Sequence, residues 1–179
     1  GVDTSGIRLI FVTHSIPVSM EAGSSPFPFR PSTDEAKAAS GDHHEQQGSE
    51  ASSQKGTPAS EISYVAQHHA LIQAIMPELR RVLGRADLGY DLVYCSRSGP
   101  PQARWLEPDI NDFLEEIAGD VSPLTGAVVV PIGFICDHME VVYDLDTEAK
   151  ETAARLGIPY ERADTVATDP AFVSSLVDV

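Results

Sequence analysis

Three segments of the chain are predominantly apolar rather than alternating: residues 7–13 (IRLIFVT), 90–96 (YDLVYCS) and 127–134 (AVVVPIGF). A strand with one wet face alternates apolar and polar positions. A continuous apolar run marks a strand covered on both faces, as in a parallel sheet. Pro131 interrupts the third run and has no N–H to give to a ladder, so regular pairing is expected to bend or end there. Between and after these runs the apolar positions recur at helical spacing. Residues 60–84 read as a helix capped by Ser60, stopped by Gly84 and kinked or split at Pro77. Residues 107–119 read as a second, with Pro108 in its first turn. Residues 144–157 and 169–179 read as a third and a fourth. Strand and helix alternate, so the expected fold class is α/β, a parallel sheet flanked by helices.

One stretch breaks this pattern. Residues 20–59 are rich in Gly, Ser, Pro, Ala, Glu and Gln and carry no periodicity. They read as a disordered or loosely held insertion, which divides the chain into residues 1–19, the insertion, and residues 60–179. His43 and His44, adjacent inside it, read as a solvated pair rather than metal ligands.

The chain has 179 residues, enough for one domain with a sizeable core. Its net charge of −15 argues against nucleic acid as a partner. No apolar run approaches the ~18 residues that a membrane-spanning helix needs. No leader peptide is visible at the start of the sequence. Cys95 and Cys136 both adjoin apolar runs and read as buried free thiols, and the expected location is the reducing cytoplasm.

Ligands of open parallel sheets bind beyond the carboxyl ends of the strands. His14 follows the first run. Ser96, Arg97 and Trp105 follow the second, and Asp137, His138 and Glu140 the third. Each has a plain alternative: His14 can cap a turn, Trp105 can be core, and Asp137 can be an N-cap with Glu140 as its box partner. Glu140, Asp144 and Glu148 stand four apart and would form an acidic column on a helix. Like charges at that spacing destabilise a helix. The column is therefore either a solvated face or a set of oxygen ligands leading a divalent cation toward His14. Carboxylate and imidazole together suit a borderline metal such as Fe²⁺.

The stretches FVTHSIP, YxxQ at Tyr64 to Gln67, YCSRSGPPQARWLEP and VVPIGFICDHMEVVYDLDTEA together resemble the C-terminal half of a ferrochelatase, most closely the actinobacterial coproporphyrin type. The resemblance covers most of the chain outside residues 20–59. It implies insertion of Fe²⁺ into coproporphyrin III or protoporphyrin IX in haem biosynthesis. It implies a chelatase-like, Rossmann-like half of a two-domain enzyme with the porphyrin in the cleft between the halves. By resemblance His14 and Glu140 are catalytic and contact the metal, Asp144 and Glu148 belong to its path, and His138 and Asp137 support the site. Trp105, Phe134 and Ser96 then lie near the macrocycle. Fe²⁺ is a substrate and no cofactor is implied. Two cysteines, neither in cluster-like spacing, do not supply a [2Fe–2S] site on this chain alone. The N-terminal half, with the groups facing the other side of the ring, is a missing partner, so this chain alone is expected to be inactive. Two other functions fit the same residues. One is a non-catalytic metal- or tetrapyrrole-binding module. The other is a metal-dependent hydrolase, which needs three or more converging protein ligands.

Overall fold

The computed structural model describes residues 6–21, 63–99, 102–119 and 124–177. Most of the 20–59 segment, with His43 and His44, lies outside them, as does Ser60. Met20, assigned to that segment from its sequence, instead belongs to a short helix, α1 (Val18–Glu21).

The three expected strands are present as β1 (Ile7–His14), β2 (Asp91–Cys95) and β3 (Gly126–Val130). A fourth, β4 (Tyr160–Arg162), joins at the edge. All pair in parallel, in the order β2-β1-β3-β4. β3 stops where Pro131 removes a donor, opposite Phe11 of β1. β1 continues for three more residues against β2 alone, and His14 pairs with Cys95 at its tip.

Successive residues of a strand face opposite sides of the sheet. Leu9 and Phe11 accordingly pack with Ile72 and Met76 of α2 (Tyr64–Leu83). Ile10 and Val12 pack on the other side with Phe113, Leu114 and Ile117 of α3 (Ile110–Ala118). Val141, Leu145 and Ala149 join that second core from a π-helical stretch (Val141–Ala149), and Ala153 joins it from α4 (Lys150–Leu156). A last helix, α5 (Pro170–Val177), contains no buried residue.

Several helix boundaries differ from the expected ones for local reasons. Ser63 caps α2 by accepting from the Ala66 N–H, and Gly84 ends it in the left-handed conformation at φ 64°. Pro77 lies inside α2 without splitting it. α3 begins after Pro108, because the Pro108 carbonyl accepts from Tyr94 N–H and Asp109 takes the cap. The third helix starts earlier than expected, at Met139, and is π-helical over Val141–Ala149.

Candidate functional site

β1 delivers His14 to the rim of the sheet, past the point where β3 has ended. From Val130 the chain turns through Pro131 to Gly133, and Gly133 N–H donates to the Val12 carbonyl at 3.3 Å. Only glycine fits this turn. A Cβ on Gly133 would lie 1.9 Å from Thr13 Oγ1. The turn leads to Asp137, His138 and Glu140 and so brings a carboxylate back over the tip of β1.

His14 Nδ1 lies 3.7 Å from Glu140 Oε2, with the imidazole about one-third exposed and the carboxylate about half exposed. The Nδ1 atom itself is shielded and makes no hydrogen bond. Two coordination bonds of about 2.1 Å span up to about 4.2 Å, so one divalent cation can bridge the pair. Among the described residues no group of three His, Cys, Asp or Glu side chains converges. Among the described residues the pair thus offers two protein donors, fewer than the three protein ligands of a catalytic zinc site.

The neighbouring groups are held by specific partners. Ser96 follows β2 with φ 62°, a left-handed conformation costly for a residue with a side chain. In that conformation its Oγ donates to Asp144. Ser96 and Asp144 are thus tied together, from strand end to π-helix. His138 Nδ1 accepts from Glu140 N–H at 3.3 Å, and its ring stands edge-on to Phe134, centroids 5.4 Å apart. His138 rather than Asp137 therefore caps the turn that carries Glu140. Asp137 is instead bound by Arg162, which also holds Asp146, and by the Thr165 hydroxyl.

The remaining sequence candidates are spread more widely. Glu148 is exposed on the π-helix. Phe134, expected beside the macrocycle, is only 8% exposed and lies in the core beneath His138. Trp105 is half-buried. Its backbone bridges to Pro17, and its ring packs on Gly99, where an added Cβ would come within 2.6 Å of Trp105 Cζ2. Arg97 faces Glu107, Asp109 and Asp112. Cys95 is buried and its thiol is pushed up to about 12, chiefly by burial, whereas Cys136 is exposed, contrary to the expectation of two buried thiols. A thiol is a strong metal ligand only as thiolate, so Cys95 does not compete with the His14–Glu140 pair at neutral pH.

Four residues that matter here carried no sequence assignment: Thr13, Tyr64 within YxxQ, His68 and Arg162. Tyr64 and His68 stand four apart and therefore share a helix face, a spacing that marks them as possible partners. Thr13 offers no such signal.

A family model described as Ferrochelatase matches residues 2–179. The chain is 51% identical over 112 residues to a coproporphyrin III ferrochelatase of Frankia alni, covering 63% of this chain and 28% of that one. It is 38% identical over 177 residues to one of Propionibacterium freudenreichii, covering 99% and 40%. It is likewise 38% identical over 174 residues to one of Streptomyces coelicolor, covering 97% and 38%. The chain spans two fifths or less of the length of these curated relatives.

Proposed function

The chain belongs to the ferrochelatase family, and from that premise we propose that it carries the iron-delivering face of an enzyme that inserts Fe²⁺ into coproporphyrin III or protoporphyrin IX. The pairing of His14 with Glu140 at 3.7 Å carries this reading. Insertion exchanges two pyrrole N–H protons for one Fe²⁺, so two protons leave and nothing is oxidised or reduced. The Glu140 carboxylate coordinates Fe²⁺ and displaces part of its water. The His14 imidazole, whose Nδ1 makes no hydrogen bond, takes one pyrrole proton, and the second passes to water. Asp144, held by Ser96, and Glu148 on the same π-helix supply an acidic approach for the cation. Trp105 and Ser96 lie on the loop after β2 and face the macrocycle.

The enzyme acts in the cytoplasm, where Fe²⁺ and free thiols persist, and needs no resident cofactor. The other face of the porphyrin is held by the remaining polypeptide, which the chain requires as its partner. Among the described residues no helix is long and apolar enough to cross a membrane.

In the full-length protein, His14→Ala and Glu140→Gln are each expected to lower the rate of iron insertion by about 10²–10⁴-fold, the usual contribution of a positioned acid–base group. The check is porphyrin fluorescence loss under anaerobic Fe²⁺ supply. A normal rate in either variant would exclude the proposed roles.

A further inference from the structure

Behind His14, on the α2 side, lies a closed set of polar groups that the proposed chemistry does not use. The Thr13 hydroxyl is fully buried. It lies 2.6 Å from the Tyr64 hydroxyl and 2.9 Å from His68 Nε2. His68 Nδ1 lies 2.8 Å from the Tyr64 carbonyl, and the Tyr64 hydroxyl donates to the His14 carbonyl at 2.9 Å.

Donors and acceptors in this set can be assigned in turn. A carbonyl only accepts, so His68 Nδ1 carries a proton. Burial lowers the His68 pKa, which leaves the ring neutral and Nε2 an acceptor. Thr13 therefore donates to Nε2. Its lone pairs then face Tyr64, whose single proton is shared between Thr13 Oγ1 and the His14 carbonyl.

The place of this set in the fold gives it a purpose. Ser15 N–H donates to the Cys95 carbonyl of β2 at 2.8 Å. The opposite side of the same peptide, the His14 carbonyl, points where β3 would have continued. β3 has ended there, and the Tyr64 hydroxyl takes the place of its missing donor. Gly133 also packs on Thr13, so the turn that carries Glu140 rests on the same hydroxyl-bearing residue.

We propose that Thr13, Tyr64 and His68 are positioning residues that lock the His14 peptide from behind, and that the Thr13 hydroxyl sets His14 and Glu140 in register. The proposal rests on His14 being the reacting imidazole.

The test compares Thr13→Val, which keeps the shape and drops the hydroxyl, with Thr13→Ser, which keeps the hydroxyl and drops the methyl, in the full-length protein. Thr13→Val is expected to lower kcat for iron insertion about tenfold or more with KM for porphyrin little changed, as misplacement of a reacting group does. Thr13→Ser is expected to stay within about twofold. His68→Phe, which keeps a ring and removes the acceptor, is expected to act like Thr13→Val, and the double variant to add little to either. Should Thr13→Val fold poorly, His68→Phe carries the comparison.

The side-chain ¹⁵N resonances of His14, assigned by their loss in His14→Ala, give a readout that needs no turnover. They should shift in Thr13→Val and His68→Phe and return in Thr13→Ser. If Thr13→Ser is as impaired as Thr13→Val, or if the His14 resonances ignore all three changes, the positioning role is overturned. If the parent protein inserts no iron, the enzymatic reading fails, and the spectra still decide the positioning role.

Discussion

His68 connects local hydrogen bonding to stability. It lies between the Tyr64 carbonyl and the Thr13 hydroxyl, and burial holds its pKa below the ordinary histidine value. As pH falls, the unfolded chain therefore binds this proton before the folded one does. Stability rises with pH wherever the unfolded state holds more protons, so this contribution is present above about pH 6.5 and is lost below it. Thermal melts of the native protein should show Tm falling as the pH drops below about 6.5, and His68→Phe should flatten that part of the slope. An unchanged slope would assign the acid loss to other groups. The two cysteines give a separate check at the same scale. Cys136 is exposed, whereas Cys95 is buried with its thiol at about 12. Alkylation near pH 8 followed by mass spectrometry should label Cys136 and leave Cys95 unmodified until the protein is denatured. Rapid labelling of both would show that the tip of β2 opens readily.

At the scale of elements, the π-helical stretch is fixed at its base by Arg162. This guanidinium is only 12% exposed and is shared between Asp137, just before the Glu140 turn, and Asp146, within the stretch itself. It thus spans both sides of Glu140 and ties them to β4. Arg162→Met removes the cation and leaves two carboxylates facing each other. Because both carboxylates are partly exposed, the expected loss is about 1–3 kcal/mol rather than the full cost of a buried unpaired charge. For a chain of this size that lowers Tm by ~2–4 °C per kcal/mol. Iron insertion should fall more steeply than stability, because the turn bearing His138 and Glu140 loses its anchor. A variant with normal Tm and rate would show the clamp to be dispensable. Arg162 also shows where the sequence stops being informative. β1, β2 and β3 announce themselves because both of their faces are buried. β4 is three residues, YER, at a polar edge, and carries no such signal. The acidic column was readable as residues four apart, and in the structure the buried Val141, Leu145 and Ala149 have the same spacing. A strict period of four exceeds the 3.6 of an α-helix, and the wider π winding answers it. That His14 and Glu140 follow different strands was legible; that Gly133 folds one onto the other depends on a Cβ-free contact with Thr13 that no periodicity encodes.

At the scale of the whole molecule, the His14–Glu140 pair lies at an open rim. Ile135 and Tyr143, within five residues of Glu140 along the chain, are more than half exposed, and Met139, next to Glu140 in sequence, is 77% exposed. Large apolar side chains beside a charged pair match a flat, apolar ligand or a covering surface better than bulk water. One wall can bind a porphyrin edge or a cation, but it cannot hold a macrocycle at a fixed distance from a metal, and such positioning is worth about 10²-fold for each ångström of misplacement. The chain spans two fifths or less of the curated relatives it matches, and the proposed function assigns the second wall to further polypeptide. The isolated chain is therefore expected to bind Co²⁺, a redox-stable stand-in for Fe²⁺, through His14 and Glu140, yet to insert metal at least about 100-fold more slowly than the full-length protein. Calorimetric titration with Co²⁺, beside a stopped assay of porphyrin metallation, separates binding from insertion. The net charge of −15 should make the binding weaken as salt is raised. Binding that survives His14→Ala together with Glu140→Gln would place the cation elsewhere on the acidic surface. Turnover by the isolated chain equal to that of the whole protein would mean that one wall suffices, and that bending and holding the macrocycle lie within the reach of this sheet's own rim.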